Sequence, residues 1–309
     1  MFHLWKKHEK ESDKKHIIHK SGKDMLEHAN AGLNSEWFRI QKYSIIKELE
    51  GVDKTKGIID DKSRENVISS IINSLEGAFE SFHADNDIEG LMKTADMFLT
   101  AYVKIGKPSL LDRYLEVCEK AGIAQEEITK KLISTADECK HIDLAVLLYT
   151  KAGAKDKLIE IGNKALNLYL ESKEMDMKTK SRLFDYIVYA FKSADNKELL
   201  TLAGDKALKY QIEGRHLIRD KDWILDAQKA YESAENKTKL AELGDQYVNL
   251  YLKEGLEIWL DKSVDVYKKA GVDYISKFNN LADKITERGH AEVADTLRRE
   301  IAKYAVKGV

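Results

Sequence analysis

The chain has 309 residues, 43% of them hydrophobic, enough to bury a sizeable core in one elongated repeat domain or two compact ones. Its 51 Lys and Arg against 53 Asp and Glu leave a formal charge of −2, without the basic excess of a general nucleic-acid binder. One proline, Pro108, and two cysteines, Cys118 and Cys139, argue for long helices and against a turn-rich sheet protein, a disulfide framework or a CxxC metal pair.

Residues 1–34 read as a basic, His-rich N-terminal segment, loosely ordered or a lone polar helix. The first 24 residues hold seven Lys and four Asp or Glu. They carry no apolar signal-peptide core, so the expectation is a soluble, cytoplasmic chain. His16 and His19 would share a helix face, but zinc needs further ligands that are not placed at a recognisable spacing. A solvated tail is expected there, with His16 and His19 as weak metal candidates. Phe2, Leu4 and Trp5 beside Lys6 and Lys7 offer a weak membrane-surface contact. Gly22-Lys23 lacks the surrounding residues of a P-loop.

Residues 35–86 are expected to form N-terminal helices. One covers 36–50, with Trp37, Ile40, Tyr43, Ile45 and Leu49. A loop follows at 51–61, then a helix at 63–84 with a stripe of Val67, Ile71, Leu75 and Phe79. The span 87–106 predicts a helix capped by Asp87 and ended by Gly106, with Leu91, Ala95, Phe98 and Tyr102 on one face. Pro108 fits the first turn of the next helix, where a missing N–H costs nothing.

From there a hexamer recurs: VCEKAG (117–122), LYTKAG (148–153), AFKSAD (190–195), AYESAE (230–235) and VYKKAG (266–271). Its anchors are Cys118, Tyr149, Phe191, Tyr231 and Tyr267, spaced 31, 42, 40 and 36 residues apart. Three residues after each stands Ala121, Ala152, Ala194, Ala234 or Ala270. Four before stand Tyr114, Ala145, Ile187, Ala227 and Ser263; eight before stand Leu110, His141, Leu183, Trp223 and Trp259. These offsets lie on one face of a helix, here helix A of a unit. A second helix, B, carries a small residue followed by Asp or Asn: Gly162-Asn163, Gly204-Asp205, Gly244-Asp245 and Ala282-Asp283. Glycine inside a helix costs about 1 kcal/mol against alanine, so its repetition predicts a close helix–helix contact. The neighbouring Asp or Asn is read as facing solvent. Residues 290–306 form a terminal capping helix.

The segments LAVLLYTKAG (144–153), WILDAQKAYESAE (223–235) and LDKSVDVYKKAG (260–271), with the B helices between them, resemble the tetratricopeptide-like superfamily of helical-hairpin repeats in its wide sense. The resemblance covers roughly 88–300. The family's standard unit is about 34 residues with a closing proline; the units here are longer and lack it. The resemblance implies an all-α fold, an α-α superhelix or solenoid of antiparallel helix pairs over 87–309, with a concave groove that accepts a partner helix or extended peptide.

The functional expectation is a non-enzymatic scaffold binding another protein, with no cofactor and no nucleic acid. Tyr186, Tyr189, Gln228, Asp265 and Lys268, beside the buried stripe, are the partner-binding candidates. A helical enzyme or small-ligand protein with an interhelical pocket, around His141 and Glu138, is the alternative, although no catalytic motif is present. An RNA-binding helical repeat would need a basic, aromatic groove that the charge balance disfavours.

Overall fold

The computed structural model describes residues 21–34, 61–172, 175–213 and 222–306. The expected helix at 36–50, residues 51–60 of the loop expected at 51–61, His16, His19, Phe2, Leu4, Trp5 and the Trp223 side chain lie outside the described residues, and residue 61 of that loop opens a helix. Every regular element among the described residues is a helix, which makes the chain all-α. It divides into two compact units, Met1–Ala154 and Lys155–Val309.

The first unit contains α1 (Gly22–Asn34), α2 (Asp61–Ala84), α3 (Ile88–Ile105), α4 (Pro108–Lys120), α5 (Gln125–Glu138) and α6 (Ile142–Ala152). Here α1, α2 and α3 pack on one another, and α3/α4 and α5/α6 form hairpins. The side chain of Asp87 accepts a hydrogen bond from the Gly90 N–H, and Gly106 closes α3 in the left-handed region. Pro108 is the first residue of α4. Leu91, Ala95, Phe98 and Tyr102 are all buried.

The second unit contains α7 (Lys155–Glu171), α8 (Met177–Ser193), α9 (Lys197–Glu213), α10 (Asp222–Ser233), α11 (Lys237–Glu254), α12 (Glu257–Ala270), α13 (Tyr274–Glu287) and α14 (Ala291–Val306). Its closest pairs are α7/α8, α9/α10, α11/α12 and α13/α14. Each of α7, α9 and α11 therefore forms its tightest hairpin with the A helix that follows it, half a unit out of phase with the sequence reading, and α13 pairs with the terminal helix. The pairs also stack, since α8 packs on α10 and α7 on α9.

The recurring hexamer is a helix stop. At all five copies the N–H five residues after the anchor donates to the anchor's carbonyl: Ile123 to Cys118, Ala154 to Tyr149, Asn196 to Phe191, Asn236 to Tyr231 and Val272 to Tyr267. The N–H one residue earlier donates to the carbonyl just past the anchor, completing a Schellman motif. The residue between the alanine and that last donor must adopt positive φ. Gly122, Gly153 and Gly271 do so freely, and Asp195 (φ 58°) and Glu235 (φ 54°) accept the same conformation. Ala121, Ala194, Ala234 and Ala270 of the alanine column are buried, and Ala152 is half-buried. Ala234→Trp is expected to overpack this junction and lower stability by ~1–3 kcal/mol, read as a shift in the urea midpoint; an unchanged midpoint would show that the column has room to spare.

Candidate functional site

Three stations define how the second unit is built. A Cβ added at Gly162 would stand 2.5 Å from the Phe191 ring, and one at Gly204 2.5 Å from the Tyr231 ring. At Gly244 the Tyr267 ring is equally close. The expected helix–helix approach is thus between a B-helix glycine and the anchor ring of the next A helix. All three rings are fully buried.

The Asp after Gly204 and after Gly244 is expected to face solvent, and the side chains of Asp205 and Asp245 are 42% and 50% exposed, but each also accepts the hydroxyl of an anchor ring. Tyr231 Oη donates to Asp205 Oδ1 at 2.8 Å, and Tyr267 Oη donates to Asp245 Oδ1 at 2.5 Å. The next B helix supplies a lysine to the same oxygen: Lys239 Nζ lies 3.2 Å from Asp205 and Lys277 Nζ 2.6 Å from Asp245. Lys277 also stands 4.7 Å above the Tyr267 ring. Burial, then the acceptor Asp, pushes both tyrosine hydroxyls well above their ordinary range.

At the α7–α8–α9 station Phe191 replaces tyrosine, and the matched neighbours change with it. Asn163 stands for Asp, and Leu199 for lysine. A ring without a hydroxyl needs no acceptor, and a position without an acid needs no cation. The first unit repeats parts of the clamp: Tyr149 Oη donates to Asp137 at 2.8 Å, and Lys131 pairs with Asp96 at 3.0 Å. The signals were the matching triplets Thr94-Ala95-Asp96 and Thr135-Ala136-Asp137. On α13, Asp283 is met instead by Arg298 of α14 at 2.7 Å. These partly exposed pairs contribute up to about 1 kcal/mol each, whereas burying an aromatic ring contributes about 2–3 kcal/mol. The ring therefore holds the station, and the polar pair selects which ring fits.

The A helices form the second feature. Lys229 of α10 reaches Asp185 of α8 at 2.7 Å, and Lys269 of α12 reaches Glu232 of α10 at 2.8 Å. So α8, α10 and α12 lie side by side, cross-linked in turn. The five partner-binding candidates sit on these helices. Tyr189 is 40% exposed, Asp265 and Lys268 are exposed, and Tyr186 is half-buried. Lys268 stands 5.5 Å from the Tyr274 ring. Gln228 is buried and occupied: its amide donates to Glu232 at 2.7 Å and to Asp265 at 3.5 Å, and its carbonyl accepts from Tyr247 Oη at 2.7 Å. The structure thus brings Gln228 and Asp265 together, with Gln228 as a joint between α10, α11 and α12. Trp259 is core, stacked on Tyr247 at 5.8 Å.

Asp226 on α10 escaped the sequence reading. It is 2% exposed, and Tyr169 Oη of α7 donates to its Oδ2 at 2.9 Å. Its Oδ1 is buried without a hydrogen-bond partner. Burial raises its carboxyl to about 6, against the pull of Tyr169 and Lys229. Lys180 of α8 is buried as well, and desolvation lowers its ammonium.

In the first unit an open groove of about 590 Å³ runs between α1 and α3. Leu26, Phe82 and Met97 line it with Lys23, Glu27 and Lys93. His141 is the half-buried N-cap of α6 and Glu138 the exposed end of α5. Among the described residues no three His, Cys, Asp or Glu are grouped to hold a metal ion, and no helix is long and apolar enough to cross a membrane. No family model, curated protein or solved structure matches the chain.

Proposed function

We propose that the chain is a non-enzymatic scaffold, a divergent tetratricopeptide-like repeat protein that holds a partner peptide or helix on the outer strip of α8, α10 and α12. The observation that carries this reading is the cross-linked array of those three helices. The Lys229–Asp185 and Lys269–Glu232 pairs fix their spacing. Positions two before and one after the anchors of these helices, with Tyr186 on α8, then form a strip away from the buried stripe. Tyr186, Tyr189, Asp265 and Lys268 occupy it. A rigid strip carrying tyrosine, acid and lysine suits recognition of a partner with both apolar and charged side chains, because little freedom is lost on binding.

The test is quantitative affinity capture with the full chain and with Tyr189→Ala/Lys268→Glu, both checked for helicity. A protein enriched about tenfold by the wild type and lost with the double variant is the expected result. Capture profiles that do not differ between the two baits would remove the strip from consideration.

A small-ligand protein is the second reading, favoured by the α1–α3 groove with its apolar Leu26, Phe82 and Met97. It predicts that a small-molecule screen by thermal shift returns ligands whose effect vanishes in Met97→Glu.

A further inference from the structure

Asp226 belongs to none of the stations and to no part of the proposed binding strip. Its position is unusual on three counts: it is buried, one oxygen lacks a hydrogen bond, and it shares a cation with another carboxylate. Lys229 Nζ lies 2.7 Å from Asp185 Oδ1 but 3.6 Å from Asp226 Oδ1. One ammonium therefore faces two carboxylates and sits on the one that links α10 to α8. A buried carboxylate needs a partner for each oxygen or must lose its charge.

We propose that Asp226 is a proton-operated joint where α7, α8 and α10 meet. With a proton on Asp226, Lys229 is left to Asp185 and locks α10 against α8, while Tyr169 ties α7 to α10. With Asp226 ionised, two carboxylates compete for the one ammonium, the Oδ1 charge is met only by that ammonium at 3.6 Å and by no hydrogen bond, and the joint loosens. The groups that act on the Asp226 charge are Tyr169 from α7, Asp185 from α8 and Lys229 on its own helix. The buried Lys180 also stands on α8. Meanwhile α9 meets α10 through Asp205 and Tyr231, and α11 through Tyr247 and Gln228.

The sign follows from where the carboxyl sits. The folded chain holds the proton up to about pH 6, against an ordinary value of 3.8. Between about pH 4 and 6 the folded joint binds a proton that the open chain does not. The Asp226 contribution to stability is thus greatest below about pH 4. It falls as pH rises to about 6 and stays low above that.

The experiment is amide hydrogen exchange on the full chain at pH 5.0 and 7.5, corrected for the intrinsic rate, with a ¹³C titration of the Asp226 carboxyl. In the wild type the opening equilibrium of α7, α8 and α10 is expected to rise about tenfold between the two pH values. The α3 and α4 amides should not follow. In Asp226→Asn, which has no acid to ionise, the rise should vanish. Equal protection at both pH values in the wild type, or an undiminished rise in Asp226→Asn, would overturn the proposal. Lys229→Met keeps it falsifiable should the first variant fold poorly. Losing the shared ammonium should move the carboxyl titration to higher pH, and an unmoved titration would also overturn the joint.

Discussion

Gly204→Val is expected to destabilise the second unit by about 3 kcal/mol. Two effects oppose each other at this position. Valine recovers part of the helix propensity that glycine gives up, worth less than about 1 kcal/mol. Against that, a Cβ would meet three atoms of the Tyr231 ring at 2.5, 2.8 and 3.1 Å. Those are ring atoms of a fully buried side chain, held by its hydroxyl on Asp205, so the ring cannot swing aside at little cost. Overpacking wins, and the branched valine adds a second clash. The measurement is the urea midpoint at unchanged slope. The mechanism has its own check: in a Tyr231→Ala background the ring is gone, and Gly204→Val should then cost less than half as much. If the valine variant unfolded at the wild-type midpoint, the glycine would have no packing role.

The second large effect is expected at Tyr267. Tyr267→Ala removes a buried ring that packs edge-on against Phe278 at 5.9 Å and underlies Lys277. Truncation of a core aromatic costs about 3–5 kcal/mol, from lost burial and the cavity left behind. Tyr267→Phe keeps the ring and loses only the bond to Asp245, which retains Lys277. It should cost about 1 kcal/mol. Thermal unfolding of both variants separates the two contributions. Equal losses would mean that the hydroxyl, not the ring, holds the station.

The sequence displays these stations unevenly. Each helix stop is written within six consecutive residues, so its recurrence is visible without any knowledge of the fold. The Asp87 cap and the ends of α3 follow from local chemistry in the same way. The glycines of the B helices also announce a close approach, because nothing else explains a helix breaker kept at one register. Periodicity gives a face, however, and not the neighbour that the face meets. Tyr231 could cover either flanking B helix, and only the structure shows it on Gly204, 27 residues upstream. Once that pairing is known, the joint change to Phe191, Asn163 and Leu199 becomes readable; before it, the three look unrelated. Asp226 leaves no trace of this kind. It stands five residues before its anchor, where the other units have Arg113, Leu144, Tyr186 and Lys262, and no pattern marks it as buried. Tyr186, Tyr189, Asp265 and Lys268 were legible as positions off the buried stripe, whereas the interior role of Gln228 depends on three helices that no local pattern brings together.

The stations join residues close together in the chain: Gly162 to Phe191 spans 29 residues, Gly204 to Tyr231 27, and Gly244 to Tyr267 23. Closing such loops costs little chain entropy, and each hairpin carries its own helix stop. A ribosome extending the second unit therefore releases one closable hairpin about every 40 residues, each ready to dock on the one made before it within that unit, without waiting for a distant strand or terminus.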